Sequence, residues 1–144
     1  MFLSQQDAQS IVEEVKAAIG RDINIMDETG RILASTNPAR QGQPHPAAER
    51  ILREQLPSLT VEEDQPEAGM QAGINLPVRI DGAAAGVIGI TGPPEEVAGF
   101  GSVIKLLTEI LVERARKNQQ ADRLERARGL FLESWLFSHQ EDWA

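Results

Sequence analysis

One short stretch of the sequence combines residue types that could hold an anion. The stretch NPARQGQPHP, residues 37–46, contains Arg40, one of the two histidines (His45) and three prolines. A guanidinium binds a carboxylate through two parallel hydrogen bonds, and an imidazole adds a further donor. Gly42 would let backbone N–H groups approach a ligand closely. Because the prolines restrict the loop, less entropy is lost on binding, and we predict a preorganised anion clamp.

The same loop also has a plainer interpretation as a surface connection, where prolines and polar residues are expected anyway. In that case His45 would cap the helix that follows it, or lie in solvent. A lone histidine gives weak support to catalysis or metal binding. The loop by itself leaves both interpretations open.

Composition limits the kinds of protein that this chain can be. Its 144 residues are 41% hydrophobic and 25% charged, which is typical of one globular domain with a single core. The chain has no cysteine, which excludes disulfides, zinc–thiolate sites and thiol catalysis. There is no apolar run of the ~20 residues that a membrane span needs and no secretion signal, so we expect a cytoplasmic protein. No P-loop, zinc motif or Ser-His-Asp order is present, and we predict no catalytic residue, metal or cofactor.

The negative charge is confined to the first part of the chain. The net charge is −8; residues 1–104 hold 15 acidic and 7 basic residues, whereas residues 105–144 hold 7 of each. An acidic surface repels the phosphates of nucleic acids, so we do not expect this chain to bind DNA by itself.

The order of elements predicts an α+β fold with an antiparallel sheet. A helix capped by Ser4 and ended by Gly20 precedes a hairpin formed by DINIM and RILAS. After the loop come a helix, AAERILREQL, and a short strand in LTVEEDQPEAG. A second hairpin, QAGINLPVRI and AAGVIGIT, precedes a long helix from Glu95 that NQQAD is expected to interrupt. We expect the terminal helices to cover one sheet face, and the middle helix and loop to arch over the other above a pocket.

Strand periodicity assigns further polar residues to the pocket face. In the first strand, Asn24 alternates with two isoleucines, and in the fourth Asn75 alternates with Ile74 and Leu76. Asparagine is depleted in strands, so two on the same face suggest a binding role, although an edge position or a bulge would also explain them. Gly73 and Pro77, two residues before and after Asn75, are expected to point to the same face. Ser35 ends its strand just before the loop, where its hydroxyl could reach a ligand or simply start the turn.

Several segments together resemble a known bacterial sensor module. DINIMDETGRILAS, NPARQGQPH and GINLPVRIDGAAAGVIGITG, in this order, are similar to the sugar diacid recognition domain of the carbohydrate diacid regulator family of transcription factors. The resemblance covers about residues 4–118. It implies a PAS-like sensor fold and a small hydroxy-acid or diacid ligand such as glycerate or a hexarate. Family members also carry a C-terminal helix-turn-helix region, and no such pattern precedes Ala144, so DNA contact is expected only through a region outside these residues.

Three functions remain open from the sequence. The first is a ligand-sensing domain at residues 1–118 with a helical linker at 119–144; the others are a small enzyme acting on hydroxy acids and a pure dimerisation module. An apolar set beyond the sheet-covering part of the last helix predicts a homodimer through the terminal helices. This set comprises Leu124, Leu130, Phe131, Trp135 and Leu136.

Overall fold

Five antiparallel strands form one sheet in the order β2-β1-β5-β4-β3. The computed structural model describes residues 3–138, apart from the side chains of Ala115, Gln119, Asp122 and residues 130–138. The strands are β1 (Ile23–Met26), β2 (Ile32–Ser35), β3 (Leu59–Val61), β4 (Gly73–Ile80) and β5 (Ala83–Thr91). The helices are α1 (Gln5–Ile19), α2 (Pro46–Glu54) and α3 (Pro94–Ser138), and short 3-10 turns occupy Pro38–Arg40 and Pro66–Ala68. The predicted α+β class with an antiparallel sheet is confirmed.

Helices α1 and α3 cover one face of the sheet. Their apolar residues pack with the isoleucines and valines of β1, β4 and β5 in the main core, which includes Val12, Ile25, Ile88, Val97 and Ile104. On β4 the residues Ile74 and Val78 are buried on this side, as the alternation of the strand predicts. The terminal helices therefore lie where the sequence places them.

Helix α2 covers part of the opposite face. Ala48 and Ile51 pack there against Met26, Ile32 and Val87 in a second, smaller core. The small size of this core leaves room beside α2 on the same face. The predicted arch of middle helix and loop over the sheet is confirmed.

Local signals set most element boundaries. The Ser4 side chain accepts a hydrogen bond from the Asp7 N–H at 3.1 Å, and Gly20 ends α1 in the left-handed conformation. Helix α2 ends at Glu54, because Gln55 takes the left-handed conformation, whereas the predicted helix AAERILREQL extended to Leu56. Pro77 lies beyond the part of β4 that pairs with β3, so the strand accommodates a residue without an N–H.

The last helix differs from the prediction. Residues 94–138 form one continuous α-helix, and no break occurs at NQQAD. NQQAD contains no glycine or proline, and its polar residues are compatible with helix. The division of the chain at residue 118 therefore does not coincide with an end of secondary structure. Within residues 3–138 no helix combines the length and apolar character needed to cross a membrane.

Candidate functional site

A row of residues crosses the whole sheet on the α2 face. Strand pairing aligns Ser35 with Asn24, Asn24 with Gly89, Gly89 with Asn75, and Asn75 with Leu59. Residues directly opposite each other in antiparallel strands point to the same face, so three polar side chains share this surface with a gap at Gly89. Ser35, Asn24 and Asn75 are all buried. We call the five aligned residues, Ser35, Asn24, Gly89, Asn75 and Leu59, the polar row.

The β2 end of the polar row is fixed by hydrogen bonds. The Ser35 hydroxyl donates to the Asn24 amide oxygen and accepts from the Asn37 N–H at 2.9 Å. The amide nitrogen of Asn24 has no hydrogen-bond partner within residues 3–138. A buried strand asparagine with an unused donor can bind a hydroxyl or carboxylate oxygen.

The other half of the row depends on Gly89. The Asn75 amide nitrogen donates to the Leu59 carbonyl at 3.3 Å, while its amide oxygen makes no bond among the described residues. A Cβ at Gly89 would lie 2.7 Å from that oxygen and 3.4 Å from the Met26 methyl group. The missing side chain thus makes space for the Asn75 amide. The pairing of Gly89 with Asn75 depends on the order of the strands in the sheet, so the sequence alone does not reveal it.

His45 holds the start of α2 beside this surface. It is the N-cap residue, and its Nδ1 accepts a hydrogen bond from the Ala48 N–H at 3.2 Å. The acceptor role of Nδ1 places the ring hydrogen on Nε2, where it can be donated. Burial, together with the Arg40 guanidinium, lowers the pKa of His45 to about 4, so the ring is neutral at pH 7. The predicted helix-cap role is confirmed, and it leaves Nε2 available.

Arg40 connects the loop to the start of β4. Its Nη1 donates to the Gln71 side-chain oxygen at 3.1 Å. Burial lowers the pKa of Arg40 and the carboxylate of Asp22 raises it, but a guanidinium remains charged at neutral pH. Gln71 precedes β4 at the end of the sheet where β1 starts and β2 ends, which is the end nearest Asn24 and Ser35. The bond to Gln71 therefore holds the Arg40 side chain at that end of the sheet.

Three other predicted residues have structural explanations. The Gly42 N–H donates to the Ile32 carbonyl at 2.9 Å, so it is already used, and a φ of 82° accounts for glycine at this position. A Cβ at Gly73 would lie 2.1 Å from the Ile90 carbonyl oxygen, so only glycine fits beside β5. Pro77 is buried and pairs with Val87, two residues along β4 from the polar row.

An open cleft lies on the same face but beside β3. Its volume is about 550 Å³, and it is lined by α2, β3 and the following turn, including Arg50, Arg53, Leu59 and Met70. Leu59 also ends the polar row, so the two features adjoin. Arg50 and Arg53 are exposed and already contact Glu54. We regard the polar row as the better candidate, because its polar groups are buried and retain unused bonding capacity. Among the side chains that the structure describes, no group of three or more His, Asp or Glu residues is placed to hold a metal ion.

Solved structures with a similar fold include GAF domains. The chain superimposes on the GAF domain of a phosphoenolpyruvate-protein phosphotransferase from Coxiella burnetii with a TM-score of 0.54 at 14% identity, covering 81% of this chain and 86% of that one. The corresponding GAF domain from Acinetobacter gives a TM-score of 0.53 at 15% identity, covering 80% of this chain and 86% of that one. These similarities confirm the PAS-like class of fold.

Sequence comparison then defines the family. The family model described as "Putative sugar diacid recognition" matches residues 3–135, and the chain belongs to this family. It is 36% identical over 118 residues to the carbohydrate diacid regulator of Escherichia coli (strain K12), covering 79% of this chain and 30% of that protein. It is 36% identical over 137 residues to the uncharacterized protein YsfB of Bacillus subtilis (strain 168), covering 94% of this chain and 37% of that protein. The chain thus spans about a third of the length of these relatives.

Proposed function

We propose that this domain senses a small hydroxy acid or sugar diacid, of the glycerate or hexarate type, bound over the polar row. It would pass the binding signal through α3 to a DNA-binding region of a longer cytoplasmic regulator. The family description supports a sugar diacid as the ligand. The observation that carries the proposal is the convergence of buried Asn24, Ser35 and Asn75 on one sheet face.

A carboxylate of the ligand is placed beside Arg40 and His45. The guanidinium supplies the positive charge, and the Nε2–H of neutral His45 supplies a hydrogen bond. His45 is the N-cap of α2, where the helix dipole favours an anion. The local donors thereby offset the acidic character of residues 1–104.

The hydroxyl groups of the ligand are placed over the polar row. The amide nitrogen of Asn24 offers a donor and the amide oxygen of Asn75 offers an acceptor, which suits hydroxyls that both donate and accept. Gly89 lies between them and leaves space for a carbon chain. A ligand that lacks hydroxyls would leave these buried amides unpaired, so it should bind more weakly.

Strand β4 supports a route from this site to α3. Asn75 faces the proposed ligand, while its neighbours Ile74 and Leu76 point to the other face. A Cβ on Gly101 of α3 would lie 3.6 Å from a Leu76 methyl and 3.9 Å from an Ile74 methyl, so the helix packs directly on these side chains. A shift of β4 on ligand binding would therefore move α3.

Calorimetry with glycerate and a hexarate tests the assignment. Arg40→Ala should weaken binding roughly ten- to a hundred-fold, because one charge-assisted contact is lost. The matched control is Arg53→Ala, which removes an exposed arginine from the open cleft beside β3 and should leave the affinity unchanged. Weaker binding by Arg53→Ala together with unchanged binding by Arg40→Ala would place the binding site in that cleft.

A sensor must also return its ligand unchanged. We propose binding without turnover, because no carboxylate among the described residues acts on the pKa of His45, and the Ser35 hydroxyl is bonded to Asn24 and not to a base. Prolonged incubation of the protein with each acid, followed by mass spectrometry, should recover the starting acid alone. Any catalytic conversion would favour the enzyme alternative.

A further inference from the structure

The outer face of α3 carries an apolar stripe with no partner among the described residues. Its members are Phe100, Val103, Leu106, Leu107 and Ile110, with exposed fractions of 50%, 66%, 59%, 39% and 51%. The opposite side of the same helix turns Val97, Ile104, Thr108 and Val112 toward the sheet, and all are buried. Since the domain core is already complete on that side, the stripe is not needed for the fold of a single copy.

The spacing of the stripe is that of a helix–helix contact. Phe100, Val103, Leu107 and Ile110 follow one another at intervals of three, four and three residues, which are the a and d positions of a heptad. The stripe extends for ten residues, or about 15 Å of helix. Two successive a and d pairs give one continuous ridge that can interlock with an equivalent ridge.

Charge on the same line of α3 identifies the partner and its direction. Exposed Glu95 and Glu96 precede the stripe, and exposed Arg114 and Lys117 follow it. Two copies packed in parallel would place like charges together at both ends. Antiparallel packing centred on residue 105 places Phe100 opposite Ile110 and Glu96 opposite Arg114, so the charges at the ends are complementary.

We infer that the stripe is an isologous interface on which α3 packs antiparallel against α3 of a second copy. The surface is self-complementary in shape and charge, as a twofold interface requires. Residues 105–144 carry balanced charge, so this helix avoids the repulsion that the acidic remainder of the domain would create. The interface differs from the one expected at residues 121–144, where Leu124 is exposed and the side chains of Leu130, Phe131, Trp135 and Leu136 lie outside the described residues.

Light scattering at tens of micromolar tests the location of the interface. The full chain and a version that ends at Asn118 should both be dimers. Val103→Arg should yield a folded monomer, because Val103 is the most exposed member of the stripe and its replacement does not disturb the core. Leu124→Arg is the matched control on the same helix and should remain dimeric. A monomeric parent chain, or a Val103→Arg dimer, would overturn the proposal.

Chemical cross-linking tests the direction of packing independently of any destabilising change. Because the chain has no cysteine, the variants Phe100→Cys and Ile110→Cys each carry a single thiol. A short bis-maleimide should join the two variants when they are mixed and allowed to exchange subunits, but should join neither variant to itself. Self-linked Phe100→Cys without mixed product would show parallel packing and contradict the antiparallel assignment.

Discussion

His45 combines a structural bond and a free donor in one buried ring. Its Nδ1 caps α2 through the Ala48 N–H, and this bond fixes which nitrogen carries the hydrogen. The positive charge of Arg40 lies close enough to disfavour a second proton on the ring. Together these contacts keep the imidazole neutral and oriented before any ligand arrives, which reduces the entropy lost on binding.

The neutral state of His45 makes stability depend on pH within a defined window. The unfolded chain takes up a proton on His45 below about pH 6.5, whereas burial and Arg40 hold its folded-state pKa at about 4. Stability should therefore be full above pH 6.5 and fall as the pH decreases toward 4, by about 3 kcal/mol in total. Urea unfolding at several pH values measures this slope.

The control for this titration is His45→Asn, because asparagine caps helices but does not titrate. The variant should lose the slope between pH 6.5 and 4. It should keep the further loss at lower pH that the lowered pKa values of Asp22 and Asp27 impose, since those carboxylates must be protonated on unfolding. An unchanged slope in His45→Asn would assign the upper window to another group.

Gly89→Ala tests the geometry of the polar row. The added methyl would approach the Asn75 amide oxygen to 2.7 Å, so the amide must turn away from its position over the sheet. We expect an affinity for the acid ligand at least roughly tenfold lower, which corresponds to about 1.4 kcal/mol. Gly129→Ala, where an added Cβ meets nothing within 4 Å, should leave the affinity unchanged. Equal affinities for both variants would remove Asn75 from the site.

The alternation of side chains along a strand predicted which face of the sheet Asn24 and Asn75 occupy. Successive side chains of a strand point to opposite faces whatever the rest of the fold is. The alternation therefore placed Asn24 and Asn75 on the α2 face correctly. It could not predict the contact between Arg40 and Gln71, because these two residues lie 31 positions apart in the sequence. The bond that occupies the Gly42 N–H was likewise out of reach, because it depends on how the loop folds back against β2.

At the scale of elements, α3 contains one polar group that its packing does not satisfy. The hydroxyl of Thr108 is fully buried against the sheet and has no hydrogen-bond partner among the described residues. Burial of an unpaired hydroxyl costs free energy because its bonds to water are lost. Thr108 lies in the part of α3 that packs on the sheet.

Thr108→Val should stabilise the domain by about 1 kcal/mol, because the methyl that replaces the hydroxyl needs no partner. Thr108→Ala is the comparison; it also removes the hydroxyl but leaves a gap, so it should gain less or lose stability. Denaturant titration of both variants measures the difference. A destabilised valine variant would mean that the hydroxyl has a partner in solution.

The continuity of α3 shows where element prediction from sequence fails. Asn118, Gln120 and their neighbours carry no helix-breaking residue, so polar composition alone was a poor reason to expect an interruption. Where Gly20 ends α1, the prediction was confirmed, because a backbone conformation is specified locally.

At the scale of the whole molecule, the folded domain should be separable from the rest of α3. From Lys117 to Gly129 the side chains that the structure describes are exposed, and Arg116 makes the last ion pair with the body, to Asp81 at 3.9 Å. A chain that ends at Asn118 should keep its unfolding free energy within about 1 kcal/mol and its ligand affinity unchanged. Circular dichroism and calorimetry provide both measurements.

The matched control is a chain that ends at Ile110. It lacks Val112, which is fully buried in the main core, and should lose several kcal/mol or fail to fold. Failure of the Asn118 version would contradict the predicted boundary and make the later residues part of the fold.

The length of α3 turns it into a lever. Its 45 residues extend for roughly 68 Å, and the 22 residues after Arg116 account for roughly 33 Å of that beyond the sheet. A tilt of roughly 5° about residue 105 would displace the far end by roughly 4 Å, although residues 97–112 beside the sheet would move by no more than about 1 Å. A rigid rod of this length thus magnifies a displacement too small to disturb the core. The displacement of its far end grows with every turn of helix beyond the pivot.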